Sequence, residues 1–147
     1  MRKIFLIILI ANVIVWANFT RSSAGIVSDD STGFMWQDFY PSKIIESSTW
    51  EGGIDYCENL ILGGYSDWRL PNKNELISIT GFDMYKPAIN NIFLTIYSAR
   101  YWTSTTYAED NKLSWDISFH TAEVRATSSK STIFFIRCVR GYTYLIK

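Results

Sequence analysis

Gly63-Gly64-Tyr65-Ser66-Asp67-Trp68-Arg69-Leu70-Pro71-Asn72-Lys73-Asn74-Glu75-Leu76 is the stretch whose reading decides the fold. Two adjacent glycines accept positive φ and predict a turn. Trp68 to Leu70, kept out of the helical region by Pro71, predicts a short extended piece. Asn72 then offers a side-chain oxygen to the free amides of a helix. Glu75 stands three residues on in capping-box spacing, and Leu76 with Ile79 supplies the buried face. Asp67 is expected to close the glycine turn by bonding nearby amides, and Arg69 to reach a carboxylate or loop carbonyls. For Asp67-Trp68-Arg69 this structural role outweighs a ligand-contacting one.

Upstream, Ser48 or Thr49 caps a helix that carries Trp50, Ile54, Cys57 and Ile61 at one-face spacing. Gly52 and Gly53 oppose it, each by about 1 kcal/mol relative to alanine. Thr32 to Gln37 reads as a turn entering a short apolar strand, and the polar residues 18–31 are expected to fray or lie along the surface. Downstream, residues 81–99 hold no sustained period and form a long loop. Tyr101 to Tyr107 is a strand. Ser114 to Val124 is a second, with Trp115, Ile117 and Phe119 on one face, and Ile133 to Val139 is a third, with Phe134, Ile136 and Cys138 inward. This order is α+β.

The remaining composition bounds the protein's surroundings. The 147 residues are 48% hydrophobic with three prolines, which excludes disorder by low hydrophobicity and leaves room for one domain. Residues 1–17 read as a secretory signal peptide: Arg2 and Lys3 precede an apolar run too short for the roughly 20 residues of a bilayer span. Cleavage is expected after Ala17, with Ala24 as a second position, and the alternative is an uncleaved signal anchor. No cysteine stands near either position, which disfavours a lipid anchor. Loss of the leader leaves 12 basic against 14 acidic side chains, a balance that predicts no general attraction to nucleic acid or anionic membrane. Two cysteines, Cys57 and Cys138, without C-x-x-C spacing, fit one disulfide in an oxidising compartment.

Thr32 to Gln37, Trp50, Tyr56-Cys57, the Gly63 to Asn72 run, Glu75-Leu76, Tyr101 to Thr105, Trp115 and Arg137 to Gly141 together resemble the Lcl C-terminal domain family, named after a collagen-like bacterial adhesin. The resemblance covers almost all of residues 32–147. It implies a C-type-lectin-like fold, in which two helices flank a twisted antiparallel sheet and a long loop region carries the ligand surface. It also implies a bridge from the first helix to the last strand. No collagen-type Gly-x-y stretch precedes the domain, and the basic excess of a sulfated-glycan binder is missing.

These readings point to an exported binding module, periplasmic or at the cell surface, that recognises a surface glycan or an envelope or extracellular protein. A protein-receptor-binding or structural envelope role is the close alternative. An enzyme related to formylglycine-generating enzymes is the third, and it would need reactive cysteines. The expected ligand contacts are Tyr85, Lys86, Asn90, Tyr107, Glu109 and Lys112, all in or beside loops, with Tyr97 a further aromatic candidate. His120, the single histidine, is expected to be exposed and inert. No catalytic residue, metal ligand or required cofactor is assigned. Calcium enters only as a minority expectation, through Glu109-Asp110-Asn111 with Asp116 and Asp83, whose spacing matches no defined calcium loop.

Overall fold

The computed structural model describes residues 18–39, 46–94 and 96–141, so the expected leader lies outside the described residues. Two sheets and two short helices make an α+β fold. The first sheet runs in the order β1 (Phe19–Arg21), β2 (Ile26–Asp29), β3 (Phe34–Gln37) and β9 (Val139–Arg140), all antiparallel. The second has β4 (Ser47–Ser48), β8 (Phe134–Phe135), β5 (Arg100–Thr106), β6 (Leu113–Ser118) and β7 (Val124–Ser129). Its β5–β8 pair is parallel and its other pairs antiparallel.

The opening stretch behaves as read except at Asp67, which pairs with Arg140. Gly63 and Gly64 have φ of +64° and +82°. Arg69 exchanges two 2.9 Å backbone hydrogen bonds with Val139, so the extended piece runs beside the end of the chain. Helix α2 (Lys73–Ser78) starts at Asn72 with the complete capping box, its side chain accepting from the Glu75 amide while Glu75 accepts from the Asn72 amide. Arg69 grips both oxygens of Glu75 at 2.7 Å, and this bidentate contact raises the guanidinium's pKa.

Helix α1 (Trp50–Glu58) is capped by Thr49, and its glycines answer to space rather than to propensity. A Cβ on Gly52 would lie 2.1 Å from the Ser48 hydroxyl, and one on Gly53 would lie 3.3 Å from Ile136. Close packing on β4 and on the segment before Cys138 therefore requires residues that weaken the helix. Cys57 faces inward and forms the disulfide with Cys138. The helix ends before Ile61, however, and that side chain is 75% exposed instead of sharing the buried face.

Four further expectations are corrected. Residues 18–31 do not fray as a whole. They hold β1 and β2, and Ile26 and Val27 are core residues, because the Asp29 carboxylate closes the β2–β3 turn through Ser31 and Thr32. Ser114 to Val124 is not one strand: the Ser118 hydroxyl accepts from the amides of His120 and Thr121, Ala122 takes φ +62°, and the chain reverses into β7. Ile133 to Val139 divides between β8 and β9, crossing from one sheet to the other. Trp50 and Trp115 are only half-buried, whereas Trp36, Trp68 and Trp102 fill the interior.

Two clusters make the core. One gathers Trp36, Leu76, Ile79, Tyr101, Ile117 and Phe119 between the sheets and α2. The other surrounds the disulfide with Leu60, Trp68, Leu70, Trp102 and Ile136. Burial raises the Tyr101 hydroxyl's pKa above its ordinary value near 10, with Arg137 opposing the shift. Both folded and unfolded forms are protonated below that value. Above it the unfolded chain ionises first, so stability falls as pH rises. Thermal midpoints measured between pH 9 and 11 should decline, and less so in Tyr101→Phe. A flat profile for the parent would contradict the buried, protonated hydroxyl.

Candidate ligand surface

The loop of residues 81–99 is anchored along the end of β6. The Ala88 amide donates to the Phe119 carbonyl at 2.7 Å and the Lys86 amide to the His120 carbonyl at 3.2 Å, while Ala88, Ile89 and Phe93 are buried. Its later limb is pinned by charge. The buried Asp38 carboxylate accepts from the Leu94 amide at 2.9 Å and pairs with Arg21 and with Arg137, whose guanidinium lies 4.8 Å from the Phe93 ring centre. Tyr97 is fixed by its amide donating to the Tyr101 hydroxyl at 3.0 Å.

Outward, this loop holds exposed apolar side chains. Phe82 is 63% exposed, Tyr85 65% and Leu94 70%, with Met84 and Tyr97 also exposed. The other exposed large apolar residues, such as Phe39 and Ile61, lie in separate segments. His120 is half-buried and acts as a brace: its Nε2 lies 3.3 Å from the Tyr85 hydroxyl and its Nδ1 3.1 Å from the Ser98 hydroxyl. Lys86 stands beside it with φ +53°, a left-handed backbone that a non-glycine residue holds only when its surroundings impose it.

The expected contact residues do not form one surface. Tyr85 and Lys86 lie at the His120 end of β6, whereas Tyr107, Glu109 and Lys112 lie on the β5–β6 hairpin at the other end. A six-residue strand rising roughly 3.3 Å per residue separates them by about 20 Å. Asn90 is half-buried and turned inward on its own chain, its Oδ1 accepting from the Ile92 amide. On the hairpin, Tyr107 sits edge-on to Trp115, and its hydroxyl's bond to Glu109 raises its pKa. Phe82, Met84 and Leu94 were absent from the sequence candidates. Their signal is a set of large apolar residues in a segment without strand or helix period.

The calcium grouping also comes apart. Asp116 is buried, pairs with Arg100 and accepts from the Ser128 hydroxyl at 2.6 Å, while Asp83 belongs to the loop at the far end of β6 from Glu109 and Asp110. Among the described residues no three His, Cys, Asp or Glu side chains converge on a possible metal position. Asp67 does not close the glycine turn. It takes Arg140 on both oxygens, at 2.6 and 3.1 Å, and that hydrogen bonding lowers its pKa.

No helix among the described residues is long and apolar enough to cross a membrane. A search of curated proteins returns no significant match. The model of the Lcl C-terminal domain matches residues 25–140, which takes in both sheets from β2 onward, both helices, the long loop and the disulfide. By that match the chain belongs to the Lcl C-terminal domain family.

Proposed function

We propose that this protein is an exported binding module, with no catalytic step of its own, and that its long loop recognises a surface glycan or another envelope or extracellular ligand. The observation that carries the reading is the concentration of exposed Phe82, Met84, Tyr85, Leu94 and Tyr97 in one loop that is fixed by Asp38, Tyr101 and His120. Rigid scaffolds that present such loops are the usual setting of recognition. A C-type-lectin-like arrangement is part of the proposal, supported by the long loop and by the bridge from α1 to the residue preceding β9. The disulfide fits an oxidising, exported setting. Cleavage of a leader after Ala17 leaves β1 whole, while cleavage after Ala24 would remove it together with Arg21.

Catalysis finds little support in the same residues. Among the described residues His120 meets Tyr85 and Ser98 and no carboxylate, and both cysteines are buried in their bond. A protein receptor is the close second reading, favoured by the aliphatic and thioether side chains Leu94 and Met84. Glycan arrays run beside pull-downs from envelope extract separate the two. Whichever ligand is found, Tyr85→Ala and Lys86→Ala should weaken its binding about tenfold while changing stability by no more than about 0.5 kcal/mol, because exposed side chains support little of the fold. Parental binding by both variants at equal thermal stability would remove the loop as the site.

A further inference from the structure

A cleft of about 560 Å³ opens between the β2–β3 turn, helix α2 and the end of β5. Its volume lies in the range of about 300–1,000 Å³ common for small-molecule sites. Phe34, half-buried, gives it an apolar wall, and polar side chains of Thr32, of residues 72–75 and 78, and of Thr105 line the rest.

Most of the charge in this cleft is already committed. Both oxygens of Glu75 are held by Arg69, and one also accepts from the Asn72 amide. The Lys73 ammonium lies 4.2 Å from the centre of the Trp115 ring, drawn over its face. The Thr32 hydroxyl donates to Asp29 and the Ser78 hydroxyl to the Glu75 carbonyl. The uncommitted groups are neutral. The Asn74 side chain makes no hydrogen bond among the described residues, the Asn72 side chain uses its oxygen on Glu75 and keeps its NH₂, and Thr105 accepts from the Lys73 amide and keeps its hydroxyl proton.

Amide and hydroxyl donors and acceptors beside one aromatic wall suit a molecule with alternating hydroxyls and an apolar face. We propose that this cleft binds a neutral saccharide, of one or two rings, independently of the loop surface. An anion would find no ammonium free of an aromatic partner, and a cation no carboxylate free of an arginine.

The test is an amide chemical-shift titration of the full mature chain with three neutral disaccharides, cellobiose, maltose and N,N′-diacetylchitobiose, and with glucuronic acid as the charged comparison. At least one neutral probe should shift the amides of Lys73, Asn74 and Thr105 with a millimolar dissociation constant, a range that shallow sugar sites with few hydrogen bonds reach. Asn74→Ala and Asn74→Asp should each weaken that binding by about fivefold to tenfold, the effect of one lost neutral hydrogen bond. Tyr85→Ala should leave it unchanged, so a failure of the loop surface and a failure of this cleft read out separately. The proposal is overturned if no neutral probe shifts these amides at about 20 mM, well above a millimolar dissociation constant. Shifts confined to residues 82–98, or tighter binding of glucuronic acid, overturn it equally.

Discussion

Replacing Cys57 and Cys138 together by alanine is expected to lower the free energy of unfolding by about 4 to 5 kcal/mol. Residues 81 apart in sequence are joined, and in the chain-entropy account a closed loop of that length removes about that much freedom from the unfolded ensemble. A typical domain is stable by only about 5 to 15 kcal/mol, so the variant should be near the limit of folding at 37 °C. The site amplifies the effect. Both cysteines are fully buried among Leu60, Trp68, Leu70 and Ile136, and Cys138 lies between β8 and β9, where the chain crosses from one sheet to the other. Urea unfolding followed by tryptophan fluorescence, for the oxidised parent, the reduced parent and the variant, measures the loss. A deficit under about 1 kcal/mol would mean that the clusters hold without the bridge.

Trp102→Ala should cost about 3 to 5 kcal/mol, the range for a fully buried aromatic. Trp102 has no exposed surface, its Nε1 donates to the Ser48 carbonyl at 3.0 Å, and its ring centre lies 4.6 Å from that of Phe134. Removing it empties the space between α1, β4 and β8. Trp115→Ala should cost roughly 1 to 2 kcal/mol, since that ring is half-buried under Lys73 and Tyr107 and gives up less area. Denaturant midpoints rank the two. Equal costs, or a larger one for Trp115, would contradict the difference in burial between the two rings.

Local chemistry was legible where a few neighbouring residues determine the outcome. The Asn72 and Glu75 box, the Gly63-Gly64 turn, the strand at Phe34 and the inward alternation of Phe134, Ile136 and Cys138 all rest on interactions within a few positions. The pairing of Cys57 with Cys138 was legible from their number and setting. What stayed hidden depends on distant partners. β1 and β2 have three and four residues, too short for a period to show, and they are held by Asp29, by the neighbouring β3 and by the Arg21 contact with Asp38. The reversal after Ser118 has no glycine or proline and rests on one serine hydroxyl and a left-handed Ala122.

The candidate surface was half legible for the same reason. Sequence marked residues 81–99 as a long loop with Tyr85 and Lys86 exposed, but it also joined them to Tyr107, Glu109 and Lys112. Which loops lie side by side follows from strand direction, and β6 sets these two at opposite ends. His120 became a brace for Tyr85 and Ser98 only through contacts 35 and 22 residues away in sequence.

Recognition through the long loop is decided by amide hydrogen exchange of the protein with and without an envelope ligand recovered from the arrays or pull-downs. Added protection is expected across residues 82–98 and around His120, with the amides of α1 and of the disulfide region unchanged. Protection confined to the β5–β6 hairpin, or to the α1 face, with residues 82–98 exchanging as in the free protein, would contradict it.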